Sequence, residues 1–265
     1  MNILDKLAAH AHERVAIAQQ KLSFEKCQSL ANECSLALEP FALECSLKRR
    51  NELGQIAIIG ECKKASPSKG IIAHDFPYLA IAKEYESAGA DGISVLTEPK
   101  WFLGSDSYLE QIAKEVKVPV LRKDFTISDY QIYEAKLLGA SAVLLICSLL
   151  SKDELLHMIK LCDQLELSAL VEAHDAQEIE MALSVGARLI GVNNRNLKDF
   201  TVDTQNSTRL RQLVPQDVLF VAESGVSCAS DVQALKKAGV NAILVGESLM
   251  RADNKTAHLN MLRNA

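Results

Sequence analysis

Short, almost wholly apolar runs recur along most of the chain. They span Ile56–Glu61, Gly92–Thr97, Val118–Lys123, Ala142–Cys147, Ala169–Ala173, Leu189–Asn193, Leu219–Glu223 and Ala242–Gly246. None alternates cleanly between apolar and polar positions. That pattern predicts strands covered on both faces, as in a parallel sheet. Between the runs, longer segments such as Pro77–Ala88, Lys152–Leu165 and Ala229–Ala238 space their apolar residues for helices. A small signature marks the approach to four strands: Ala88-Gly89-Ala90-Asp91-Gly92, Leu138-Gly139-Ala140-Ser141-Ala142, Val185-Gly186-Ala187-Arg188 and Ala238-Gly239-Val240-Asn241-Ala242. Glycine suits the left-handed residue just past a helix end, so each copy predicts a helix, a tight turn and a strand. Alternating β and α elements imply an α/β fold with right-handed crossovers. Eight strands predict a closed (β/α)8 TIM barrel. The alternative, an open doubly wound sheet, calls for a G-x-G-x-x-G turn after its first strand, and the sequence has none.

Residues 1–50 fall outside the repeat. Asn2–Lys21 and Phe24–Leu36 have helical spacing, and Pro40–Arg50 predicts a further short helix. No linker rich in Pro, Gly or Ser separates them from the first apolar run. The expectation is a single domain over residues 1–265, with residues 1–50 a helical extension packed on the barrel. The sequence ends soon after the eighth unit, so a fused second barrel is not expected.

Composition narrows the function. The chain has 265 residues, 48% of them hydrophobic, and a net charge of −5 without a long basic run. Nucleic acid and anionic membrane are therefore excluded as expected partners, whereas a locally basic pocket for an anionic metabolite is allowed. The N-terminus lacks the apolar block of a signal peptide, and no apolar run nears the ~20 residues of a membrane span. The seven cysteines are odd in number and form no C-x-x-C pair, which predicts reduced thiols in a cytoplasmic protein. None has a histidine at a spacing that suggests a metal site.

In a barrel of this kind chemistry sits at the C-terminal ends of the strands. The apolar runs end there in Glu61-Cys62-Lys63, Thr97-Glu98, Arg122-Lys123-Asp124-Phe125, Glu172-Ala173-His174-Asp175, Asn193-Asn194-Arg195-Asn196, Glu223-Ser224-Gly225 and Gly246-Glu247-Ser248. Strand alternation puts Glu61 and Lys63 on one face. Taken singly, each of these residues is equally a solubility charge. As a set they converge on one end of the barrel, where buried charges need partners and opposite charges shift each other's pKa. The glycine turns after strands seven and eight, Ser224-Gly225 and Gly246-Glu247-Ser248, leave backbone N–H groups open to an anion. A helix start after Gly246 adds its own amides.

The run Glu61-Cys62-Lys63-Lys64-Ala65-Ser66-Pro67-Ser68-Lys69-Gly70 resembles the signature of the indole-3-glycerol phosphate synthases, (β/α)8 enzymes of tryptophan biosynthesis. The likeness continues through Leu96-Thr97-Glu98, Phe102-Leu103-Gly104-Ser105, Leu121 to Phe125, Glu172, Gly191 to Leu197, Ala222 to Gly225 and Val245 to Met250. Two departures flank the functional positions: Gly60, where the family often has alanine, and Cys62, where it often has a branched aliphatic residue. The resemblance implies conversion of 1-(2-carboxyphenylamino)-1-deoxyribulose 5-phosphate to indole-3-glycerol phosphate, carbon dioxide and water, with no metal or organic cofactor. It implies Lys123 as general acid and Glu172 as general base. Lys63 would bind the substrate carboxylate or act as an acid in dehydration. Glu61 and Glu223 would orient the lysines, and Asn193 would position the intermediate. The phosphate would be held by Ser66, Ser224, Gly225, Gly246 and Glu247, with Arg195 among the substrate-binding residues. Phe102, Phe125 and Leu197 would wall in the aromatic ring. Association with other tryptophan-pathway enzymes is left open.

Two other readings compete: a Schiff-base aldolase on the same barrel, and a non-catalytic barrel that binds a phosphorylated metabolite. Barrel aldolases of that type usually carry their lysine where strand six here ends in Asn193-Asn194-Arg195. The non-catalytic reading predicts loss of the acid–base residues, and all are present. Outside the site, His174 is expected to face the loop and Trp101 to cap the barrel. His10, His12, His157 and His258 are expected at the surface of helices.

Overall fold

The computed structural model describes residues 3–196 and 200–265. Among them, eight parallel strands close into a barrel: β1 (Ala57–Cys62), β2 (Gly92–Leu96), β3 (Val120–Lys123), β4 (Ala142–Ile146), β5 (Ser168–Ala173), β6 (Leu189–Asn193), β7 (Leu219–Glu223) and β8 (Ala242–Val245). Each pairs with its neighbours in sequence, and β1 pairs with both β2 and β8 to close the ring. Three helices precede β1: α1 (Ile3–Lys21), α2 (Phe24–Glu33) and α3 (Ala42–Glu52). The others run around the outside: α4 (Tyr78–Ser87), α5 (Asp106–Glu115), α6 (Asp129–Leu137), α7 (Lys152–Gln164), α8 (Ala176–Ser184), α9 (Gln205–Arg211), α10 (Ala229–Lys237), α11 (Glu247–Arg251) and α12 (Lys255–Arg263). The glycines of the four repeated turns, Gly89, Gly139, Gly186 and Gly239, have φ of 90°, 86°, 80° and 83°. These are left-handed values that side chains with a Cβ adopt at a cost.

The alternation hidden in the apolar runs appears as two cores. Ala57, Ile59, Leu121, Ala142, Leu144, Ile146, Leu170, Leu189, Val221 and Leu244 point into the barrel. Ile58, Cys62, Val95, Val143, Val171, Val192 and Ile243 point outward against the helices. Both departures from the family pattern face that outer layer. At Gly60 a Cβ would lie 2.7 Å from the ring of Tyr85, which is buried on α4. Glycine there lets the tyrosine sit directly on β1.

The three N-terminal helices have three separate duties. α1 lies over the strand ends: Leu7 and Ala11 join the inner core, and Arg14 makes a two-pronged ion pair with Asp124 at 2.9 and 2.7 Å. α2 packs on α6, where Gln28 donates to the Tyr133 hydroxyl at 2.7 Å. α3 plugs the opposite end: Leu43 and Leu47 fill the barrel floor, and Ser46 donates to the Asp91 carbonyl at 2.7 Å. One end of the barrel is thereby sealed with apolar side chains, leaving the other for chemistry. No helix of the described residues is long and apolar enough to cross a membrane.

Candidate active site

Strand parity builds the site. Glu61 follows Ala57 and Ile59, Lys123 follows Leu121, Glu172 follows Leu170, Asn193 follows Leu189, and Glu223 follows Leu219 and Val221, always in steps of two. Each polar residue therefore continues the inward face of its strand just where the apolar layers stop. They line a cavity of about 480 Å³, together with Lys63, Ser66, Phe102, Phe125, Arg195, Ser224, Gly225, Gly246 and Glu247. Every sequence-predicted site residue except Leu197 thus meets in one place, and Leu197 lies outside the described residues. Ile3 and Leu7 of α1 complete the wall.

Lys123 is the hub. Its Nζ lies 3.2 Å from Glu172 Oε2 and 3.5 Å from Glu223 Oε2. Burial alone would lower its pKa, but Glu172, Glu223 and Glu61 outweigh that and hold it above the ordinary lysine value. Glu172 is fully buried, which disfavours its charge. Lys123 and His174 reverse the effect and keep its pKa well below the usual carboxylate range. Glu223 goes the other way: burial, together with the charges of Glu172 and Glu61, pushes its carboxyl up against the pull of Lys123. Among the described residues its Oε1 is buried without a hydrogen-bond partner. At Gly191 a Cβ would collide with that oxygen, so glycine makes the room. Two neighbouring carboxylates with pKa values driven apart are the usual arrangement for assigning separate acid and base roles.

Asn193 and Glu223 face each other in register. Asn193 Nδ2 lies 3.4 Å from Glu172 Oε1, while its Oδ1 accepts from Ser224 Oγ at 2.9 Å and Arg195 N at 3.0 Å. Lys63 donates to Glu61 Oε1 at 2.5 Å. Gly246 faces this pair, and a Cβ there would collide with Glu61 and come within 3.0 Å of Lys63 Nζ. Ser66 stands in a small antiparallel hairpin, Ala65–Ser66 with Gly70–Ile71, that the apolar pattern did not foretell. Ser224 and Gly225 are both left-handed, with φ of 65° and 82°. Side chains of Thr204 and Val202 leave no space for a Cβ at Gly225. Gly246 caps α11. Around Glu247 stand three cations: Arg251 at 3.2 Å, Lys69 at 3.7 Å and Arg195 at 3.8 Å. This end of the cavity is positive, and Lys69 and Arg251 were not singled out from the sequence.

Phe102 and Phe125 face each other across the wall, with ring centroids 6.0 Å apart. Phe102 is held there by Glu98, whose buried carboxylate accepts from the backbone N–H groups of Lys100, Trp101 and Phe102 at 3.0, 2.7 and 3.1 Å. His10 of α1 reaches the same carboxylate at 3.0 Å and meets Trp101 edge-on. It is therefore an anchor of α1 and not the surface residue expected. His258 also departs from expectation, since its Nε2 is buried and has no hydrogen-bond partner among the described residues. His12 and His157 are exposed as expected. The clearest correction is His174, which does not turn away to the loop. Its Nε2 lies 3.3 Å from Glu172 Oε1 and its Nδ1 3.0 Å from Glu178 Oε2. The parity argument used for Glu61 and Lys63 finds it as well, for Leu170, Glu172 and His174 share one face.

A (β/α)8 barrel with a buried lysine–glutamate cluster beside a recess ringed by cations is an arrangement suited to acid–base chemistry on an anionic ligand. The profile of the indole-3-glycerol phosphate synthase family matches residues 4–262. The indole-3-glycerol phosphate synthase of Ruminiclostridium cellulolyticum is 53% identical over 99% of both chains, and that of Lachnoclostridium phytofermentans 47% over 99% of both. The chain belongs to the indole-3-glycerol phosphate synthase family, enzymes of tryptophan biosynthesis. Among solved structures, that of 3-hexulose-6-phosphate synthase aligns with a TM-score of 0.62 at 15% identity, covering 79% of this chain and 99% of the other. That likeness concerns the fold alone.

Proposed function

We propose that the cavity converts 1-(2-carboxyphenylamino)-1-deoxyribulose 5-phosphate to indole-3-glycerol phosphate, carbon dioxide and water, as a carboxy-lyase of the cytoplasm. The observation that carries this reading is Lys123 held as an ammonium by Glu172, Glu223 and Glu61. Ring closure joins the aromatic ring to the substrate carbonyl carbon and leaves negative charge on its oxygen. A proton from Lys123 lowers that barrier. Loss of carbon dioxide then restores aromaticity. Loss of the hydroxyl as water needs an acid and a base. Lys63, beside Glu61 at the cavity rim, suits the acid or the carboxylate grip, and Glu172 is the base. Asn193 ties Glu172 to the β7 turn, which supports its role in positioning the intermediate. Ser66, Ser224, Gly225, Gly246 and the amide of Glu247, backed by Arg195, Lys69 and Arg251, fit the phosphate. Phe102 and Phe125 fit the aromatic ring and exclude water, which strengthens the nearby charge interactions.

The same observation opposes a Schiff-base mechanism, whose lysine must be neutral to attack a carbonyl. Borohydride added during turnover is expected to leave the protein's mass and activity unchanged. A reduced covalent adduct on Lys123 or Lys63, seen by mass spectrometry, would overturn the assignment.

A further inference from the structure

His174 is close to the reacting groups without lining the main cavity. It stands just past β5, before α8, whose Asp175 cap accepts from the amides of Gln177 and Glu178. Glu178 grips it twice, accepting from the His174 backbone N–H at 2.7 Å and meeting Nδ1 at 3.0 Å. Asn206 donates to its carbonyl at 3.1 Å. The residue is thus held by Glu178 of α8 at its ring and backbone N–H, and by Asn206 of α9 at its carbonyl. Nε2 is left facing Glu172 Oε1 at 3.3 Å, an ionic contact not aligned as a hydrogen bond. We infer that His174 is a positioning residue: an imidazolium wedged between Glu178 and Glu172 that holds Glu172 ionised and aimed at the cavity.

The reasoning is electrostatic. Glu172 must be charged to act as a base, yet it lies fully buried beside Glu223, whose carboxyl its charge helps to push up. Lys123 supplies one compensating charge, but Lys123 is shared among three carboxylates and, as the acid, gives up its proton during the cycle. A second, non-reacting cation on the far side keeps Glu172 ionised at that moment. Glu178 makes His174 that cation: burial would favour the neutral ring, but Glu172 and Glu178 together raise its pKa to about 10. Among the described residues, the other titratable groups facing this unit are Asp175 at the cap of α8, Asp203 after β6 and Cys147 after β4. The Cys147 thiol is pushed up to about 12 by burial and the nearby carboxylates, and stays neutral.

The inference rests on the reading of Glu172 as base, and kcat–pH profiles of His174→Asn and His174→Gln test it. Glutamine reaches as far as Nε2 without the charge; asparagine keeps only the contact towards Glu178. Loss of a cation this close is expected to move the acid limb of kcat up by about 1 pH unit or more. KM should hold, because His174 does not line the cavity. Glu178→Gln should shift the limb in the same direction by less. Thermal melts of both His174 variants identify any loss of folding, and glutamine is the milder change. Profiles of folded His174→Asn and His174→Gln that superimpose on the wild type would overturn the role of His174. An active Glu172→Gln would overturn the base assignment instead, so the two failures are distinguishable.

Discussion

Lys123→Met is expected to lower kcat by about 10²–10⁴-fold, the usual contribution of a positioned general acid, with KM changed little. The phosphate end of the cavity is built by Ser66, the β7 and β8 turns and their cations, whereas the polar partners of Lys123 are Glu172 and Glu223. Among the described residues, the substitution also removes the cation shared by Glu172 and Glu223, at 3.2 and 3.5 Å. A loss of stability is therefore expected alongside the loss of rate, because Glu223 loses its ion pair, Glu172 is left with His174 and Asn193, and buried carboxylates stripped of a compensating charge are costly. Lys123→Arg separates the two effects. Arginine keeps the positive charge, so the melting temperature should recover towards wild type. A guanidinium does not release its proton, so activity should stay low. Activity of the arginine variant within tenfold of wild type would remove Lys123 as the acid and leave it a purely electrostatic role.

Glu172→Gln is the second large effect expected. Glutamine has the shape of the carboxylate, and its one carbonyl oxygen can still accept from Lys123 or from Asn193, but it takes no proton. A fall in kcat of about 10²–10⁴-fold with KM unchanged is expected if Glu172 is the base. In the wild type its pKa is held below the ordinary carboxylate value, and that of Lys123 above the ordinary lysine value. A base works deprotonated and an acid protonated. The acid limb of kcat should therefore fall below the usual glutamate range and the basic limb above the usual lysine range, leaving a broad plateau between. A wild-type rate from Glu172→Gln would take the residue out of the mechanism.

Much of this architecture was legible in the chain because it depends on local rules. The glycine turns at Gly89, Gly139, Gly186 and Gly239 mark where helices end and strands begin. Eight apolar runs of similar length suffice for the barrel. The polar strand ends were legible too, since chemistry in such a barrel has one address. What escaped depends on contacts across long sequence separations. Nothing in the sequence pairs Arg14 with Asp124 or His10 with Glu98, so the way α1 covers the cavity emerges only in three dimensions. The hairpin at Ser66 escaped because two-residue strands carry no periodicity. His174 is a different case. Its signal was present in the step of two from Glu172, but a histidine beyond the strand's last apolar residue reads equally as loop. The recruitment of Lys69 and Arg251 beside Glu247 needed the fold of two separate turns.

The central claim is that this cavity closes an indole ring. Purified protein mixed with 1-(2-carboxyphenylamino)-1-deoxyribulose 5-phosphate, without added metal or cofactor, should develop indole fluorescence continuously and release one carbon dioxide per indole formed. Absence of indole product from folded protein that binds this substrate would contradict the account.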